Sequence, residues 1–161
     1  MSESSSMNQI PNPFEAKDIG GIFYPVDYLV AAFPNPEDAQ HVCQGLMNKG
    51  FNEATCLSQT GEEMSIFLEK NLSENNGFLA KLGKSDDAVK VHLDAAKKGA
   101  AFLLVYAPED EAAMNALEVL RSKPFDFIHR YHRLAIEEIQ KKNQPDASSI
   151  TAGTGSPASG A

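Results

Sequence analysis

Tyr28-Leu-Val-Ala-Ala-Phe33, followed by Pro34-Asn-Pro-Glu-Asp-Ala39, decides how this chain is read. The first six residues are apolar without a break, the pattern of a strand covered on both faces. The next six switch to the chemistry of a helix start. Asn35 is the cap, Pro36 takes the first helical position, and Glu37 and Asp38 occupy the first turn, where the helix dipole favours acids. Ala39, Val42, Cys43, Leu46 and Met47 then recur at i, i+3, i+4, i+7 and i+8, one apolar stripe closed by Gly50. A second strand is expected from Glu53 to Ser58.

The same plan returns downstream. Phe102-Leu-Leu-Val-Tyr106 reads as a strand, and Pro108 with Glu109, Asp110 and Glu111 opens a helix. Ala112, Ala113, Ala116, Leu117 and Leu120 form its stripe. Setting Phe33 against Tyr106 also sets Ala39 against Ala112, Cys43 against Ala116 and Met47 against Leu120. A last strand is expected from Phe125 to His132 and a short terminal helix from Leu134 to Lys142. The chain therefore holds two strand–helix–strand units.

Between the units, residues 60–99 read as wholly helical. Thr60 and Glu63 have capping-box spacing ahead of Met64, Phe67, Leu68 and Leu72. Ser85, with Asp86 and Asp87 behind it, opens a second helix that buries Val89, Leu93 and Ala96 and stops at Lys97-Lys98-Gly99. Phe78, Leu79 and Leu82 suggest a further helical turn.

Two architectures accommodate this order: an α+β, ferredoxin-like sheet of two interlocked βαβ units, or a four-stranded parallel α/β sheet. The strand patterns favour the first. The first and third strands are apolar on both faces, as central strands are, while Glu53, Thr55, Asp126 and Arg130 interrupt the second and fourth, as in edges. Helices from the two units cover only one face of such a sheet. Tyr28, Val30 and Ala32 alternate with Leu29, Ala31 and Phe33, so the other face is apolar too and needs a cover. Either the 60–99 insert or a second subunit supplies it, and a homo-oligomer, dimer or higher, is expected.

The domain is expected at 26–142. Residues 1–25 read as a flexible arm in which Gly20-Gly21 is a joint and Ile22, Phe23 and Tyr24 are available for packing. Residues 143–161 are rich in Ser, Gly, Ala and Thr and read as a disordered tail, with a docking peptide around Ile150 as a possible protein-partner segment. A net charge of −8 argues against nucleic-acid or anionic-membrane binding. No apolar run approaches the roughly 20 residues of a spanning helix, and the polar start does not resemble a signal peptide. A cytoplasmic location is expected.

The densest cluster of functional side chains is His129-Arg130-Tyr131-His132-Arg133. On a strand His129 and His132 point to opposite faces, which disfavours a shared metal. His129 and Tyr131 share a face with Phe125 and Phe127, suiting an edge or subunit contact. With Tyr28 and Val30 of the first strand, these residues are the ligand or interface candidates. His92 lies on the apolar side of its helix, as a hydrogen-bonded boundary residue, and His41 faces solvent. The strand–helix turns lack Gly and carry acids, which disfavours phosphate cradling. No nucleophile motif of the GxSxG kind occurs, and no catalytic residue, metal or cofactor is assigned. Cys43 and Cys56 read as small buried hydrophobes; a redox role requires the fold to bring them together.

Pro34-x-Pro36-Glu-Asp-Ala39, the helix to Gly50-Phe51, the helical insert, Gly99-Ala-Ala-Phe-Leu-Leu-Val-Tyr106 and Phe127-Ile-His-Arg-Tyr131 together resemble the bacterial general-stress (heat-induced stress) proteins with a ferredoxin-like domain. The likeness spans residues 27–140. It implies a non-enzymatic, self-associating stress or accessory protein acting through protein contacts, with no catalytic residues to carry over. The alternative is a regulatory module that binds a small ligand between subunits.

Overall fold

The computed structural model describes residues 9–75 and 85–141. Five strands, β1 (Tyr28–Phe33), β2 (Cys56–Gln59), β3 (Ala101–Tyr106), β4 (Phe127–Tyr131) and β5 (Ile136–Glu138), form one sheet in the order β2-β3-β1-β4-β5. Every pairing is antiparallel. The parallel arrangement is therefore excluded, and the α+β reading stands. Four α-helices lie among the described residues: α1 (Pro36–Asn48), α2 (Gly61–Glu74), α3 (Ser85–Lys97) and α4 (Asp110–Leu120).

The local chemistry expected of the first unit is present. Asn35 Oδ1 accepts from the Glu37 N–H, Pro36 sits at the start of α1, and Gly50 takes a positive φ of 103° just past its end. Thr60 and Glu63 form a reciprocal capping box on α2. Glu109, at the head of α4, makes no side-chain cap, so that start rests on backbone and on the acids Asp110 and Glu111.

β1 and β3 are the doubly covered strands, with all six β1 residues buried. Their alternating side chains feed two cores. Leu29, Ala31, Phe33, Leu103, Val105 and Ile128 pack against α1 and α4 through Ala39, Val42, Leu46, Ala113, Ala116 and Leu120. Tyr28, Val30, Ala32, Phe102, Leu104, Phe127 and Tyr131 pack against Met64 and Leu68 of α2 and Val89, Ala95 and Ala96 of α3. The insert thus covers the second face, and the three layers close within one chain. A second subunit is not needed for that purpose, which removes the ground on which a dimer was expected. Tyr28 and Val30, read as interface candidates, are buried beneath the insert.

Four further expectations are corrected. The residues after Leu134 form β5 rather than a helix, because the β4 edge offers a full row of backbone partners: His129 pairs with Glu138, Arg130 with Glu137 and Tyr131 with Ile136. Paired backbone outweighs the helix propensity of Ala-Ile-Glu-Glu-Ile. Ile136, in β5, and Ile139, just beyond it, reach opposite cores. With β5 alongside, β4 is not an edge. Phe125 lies ahead of the strand proper and packs into the α1/α4 core, not on the face of Phe127.

The fourth concerns the N-terminal segment. Residues 9–25 are packed rather than free: Ile22 and Phe23 are fully buried, and Tyr28 Oη donates to the Pro11 carbonyl at 2.6 Å. Gly20-Gly21 is a fixed turn in which Asp18 Oδ1 accepts from the Gly20 and Ile22 N–H groups and Gly21 adopts φ 86°. A Cβ on Gly21 would collide with the Asn75 side chain, so glycine is required there by both conformation and space. The turn suggested by Phe78, Leu79 and Leu82 and the tail at 143–161 lie outside the described residues. No described helix is long and apolar enough to cross a membrane.

Candidate functional site: the β4–β5 hairpin and the buried histidines

β4 divides the His129–Arg133 cluster by alternation. His129 and Tyr131 turn inward to the insert-side core, and Arg130 and His132 turn away. The separation of His129 from His132 is as the strand period requires, and the two share no site. Arg130 Nη2 reaches Asp110 Oδ1 at 3.0 Å, tying β4 to the start of α4. His132 Nε2 contacts Glu137 Oε1 at 2.9 Å across the hairpin.

The hairpin closes through the His132 N–H, which donates to the Ala135 carbonyl at 2.8 Å. Tyr24 Oη donates to the His132 carbonyl at 2.7 Å, anchoring the turn to the N-terminal segment. Arg133 is exposed at its tip, and Leu134 is 92 % exposed. A held turn thus presents a leucine and a cation together.

Behind the hairpin lies a pair of imidazoles that sequence separation concealed. His92 of α3 is fully buried, and His129 of β4 is 7 % exposed, with ring centroids 5.0 Å apart. His92 stacks on Phe127 at 4.7 Å and 2°, and Phe23, Phe102 and Tyr131 complete its surroundings. Its Nε2 shares a hydrogen bond with Tyr131 Oη at 3.1 Å. Neither Nδ1 has a hydrogen-bond partner among the described residues.

Burial is the main cause that lowers both imidazole pKa values. For His92, deeply desolvated, His129 adds to the effect; for His129, Glu138 across the strand pairing opposes it. Burial likewise raises the Tyr131 hydroxyl, with Tyr24 second. The two imidazoles are therefore neutral at neutral pH, packed among aromatic rings. Among the described residues no group of three or more His, Cys, Asp and Glu side chains is placed to hold a metal ion. His41 is exposed on α1.

Two features of the site lie outside the residues expected to form it. Asn71 of α2 is buried, donates to the Gly21 carbonyl and accepts from the Phe23 N–H, both at 2.9 Å, clasping the N-terminal segment to the insert. Leu134 was absorbed into the expected helix. The signal against that helix was available: Arg133, at its cap position, is a poor N-cap. A cleft of about 220 Å³ opens where Pro36, Gln40, Gln59, Thr60 and Glu63 meet. It lies within one chain and holds none of the residues singled out as ligand candidates.

Comparison of the chain with family models, curated proteins and solved structures gives no significant match.

Proposed function

We propose that this chain is a non-enzymatic cytoplasmic accessory protein of the general-stress type, self-associating through the β4–β5 turn. The observation that carries the reading is Leu134, 92 % exposed on a turn held by the His132–Ala135 and Tyr24–His132 hydrogen bonds and flanked by the exposed Arg133. Leu134 offers an apolar contact, and Arg133 beside it is of a residue type enriched at interfaces. The adjacency of the first and third strands, with the second and fourth outside them, supports a ferredoxin-like frame and with it the resemblance to the general-stress proteins.

Sedimentation velocity over a range of concentrations tests the reading. The full chain is expected to show a concentration-dependent dimer that Leu134→Asp abolishes, while unfolding is little changed because Leu134 makes little buried surface. A wild-type chain that stays monomeric throughout, or a dimer indifferent to Leu134→Asp, defeats it.

A further inference from the structure

Cys43 and Cys56 lie on different elements, one in the third turn of α1 and the other at the first residue of β2, and their Sγ atoms are 3.9 Å apart. Both are free thiols. Closing that gap to a disulfide bond takes about 2 Å of relative sulfur movement, within the reach of side-chain rotation and small backbone adjustment. The two sulfurs differ in access: Cys43 is half-buried on the flank of its helix, whereas Cys56 is buried against the sheet. We propose that these two thiols form a reversible disulfide, with Cys43 meeting the oxidant and Cys56 resolving it.

The oxidant is a low-molecular-weight disulfide. The Cys43 thiolate attacks one of its sulfurs, forming a mixed disulfide and releasing one small thiolate, which takes up the proton that Cys43 lost. Cys56, once deprotonated, attacks Sγ of Cys43 and expels the second small thiolate, which is protonated in turn. Two protein thiols are oxidised by two electrons, one small disulfide is reduced to two thiols, and the protons balance. Burial, with Cys43 alongside, pushes the Cys56 thiol up, in the same sense as its restricted access. This order of events follows from access and proximity alone. The closed bond staples α1 to the edge strand β2 across the Gly50 turn and the loop where Asn52 and Thr55 bond each other.

The test is intact-mass spectrometry of the full reduced chain after exposure to oxidised glutathione, acid quench and alkylation of remaining thiols. The expected product is a monomer lighter by two hydrogens, without alkyl groups or glutathione, restored by dithiothreitol. Its thermal midpoint is expected above that of the reduced chain. Cys56→Ala is expected to stop at a glutathione adduct on Cys43, and Cys43→Ala to react far more slowly, with circular dichroism confirming that both variants fold. Two thiols that stay alkylatable, a persistent adduct on wild-type Cys43, chain-to-chain disulfides, or Cys43→Ala reacting as readily as Cys56→Ala would each overturn the proposal. None of these outcomes depends on the hairpin contact.

Discussion

The two faces of one sheet are built by different rules, although alternate residues of the same strands supply both. The α1/α4 face belongs to the repeated units and is mainly aliphatic, with Phe33 and Phe125 its buried rings. Its helices approach closely: a Cβ on Gly45 would meet Val119 Cγ1 at 2.8 Å. The thiols of Cys43 and Cys56 lie on this face. The insert face joins pieces with no repeat relation, α2, α3 and the N-terminal segment, and it is aromatic, with His92, His129 and Asn71 buried among the rings. Apolar packing alone tolerates alternative arrangements, whereas buried hydrogen bonds must be made or lost whole. The Asn71 clasp and the His92–Tyr131 bond fix how the added pieces sit. One face is thus open to an oxidant and the other to acid.

The strongest way to break this comparison is to remove the insert. β2 and β3 are hydrogen-bonded antiparallel neighbours, from Cys56 opposite Val105 to Gln59 opposite Phe102, so a short Asn-Gly turn can replace residues 61–98 without crossing the sheet. The excised chain bares Tyr28, Val30, Phe102, Leu104, Phe127 and Tyr131. It is expected to self-associate and lose cooperative unfolding, read by light scattering and circular dichroism. A monomeric excised chain of wild-type stability would show that the insert is dispensable cover.

This contrast also explains what the sequence made legible. The α1/α4 side was readable because its signals are local: an Asn cap, a Pro start, a Gly stop and a stripe repeated twice. β1 and β3 declared themselves central by being apolar on both faces. The insert's helices were readable from the Thr60–Glu63 box and their stripes. Their destination was not, because an apolar sheet face does not say whether its own chain or another covers it. β5 was not legible because residues 134–142 carry a local helix pattern, and Ile136–Glu138 become a strand only through β4. The histidine pair joins residues 92 and 129, on a helix and a strand, and no periodicity connects them.

A smaller effect isolates the polar pinning of the insert face. Tyr131→Phe keeps the edge contacts of that ring with Phe23 and Tyr24 and deletes the hydroxyl bonded to His92 Nε2. Leaving a buried imidazole nitrogen without its partner is expected to cost about 1–3 kcal/mol, read as a lower urea midpoint at unchanged slope. Adding His92→Phe removes the stranded partner and is expected to recover much of that loss, since deleting both members of a buried pair costs less than deleting one. An unchanged midpoint for Tyr131→Phe would mean that the bond contributes nothing.

The smallest expected effect is the dependence of the insert face on pH. Burial holds the folded pKa of His92 and of His129 below the ordinary 6.5, so around and below that pH the unfolded chain binds more protons than the folded one. The stability these neutral imidazoles confer is therefore complete above pH 6.5 and is lost as the pH falls through 6.5 toward their folded values. For His92 the loss over the first pH unit below 6.5 is about 1 kcal/mol. His129 adds less, because Glu138 favours its charged form. Urea midpoints at pH 7.5, 6.5 and 5.5 are expected to fall in that order, and His92→Phe to flatten the profile, with Tyr131→Phe alongside to keep the hydroxyl from being stranded. The disulfide-bonded chain should show the same acid slope as the reduced one, because its staple lies on the opposite face of the sheet. If oxidation altered that slope, the two faces would be coupled through β1 and β3 rather than independent.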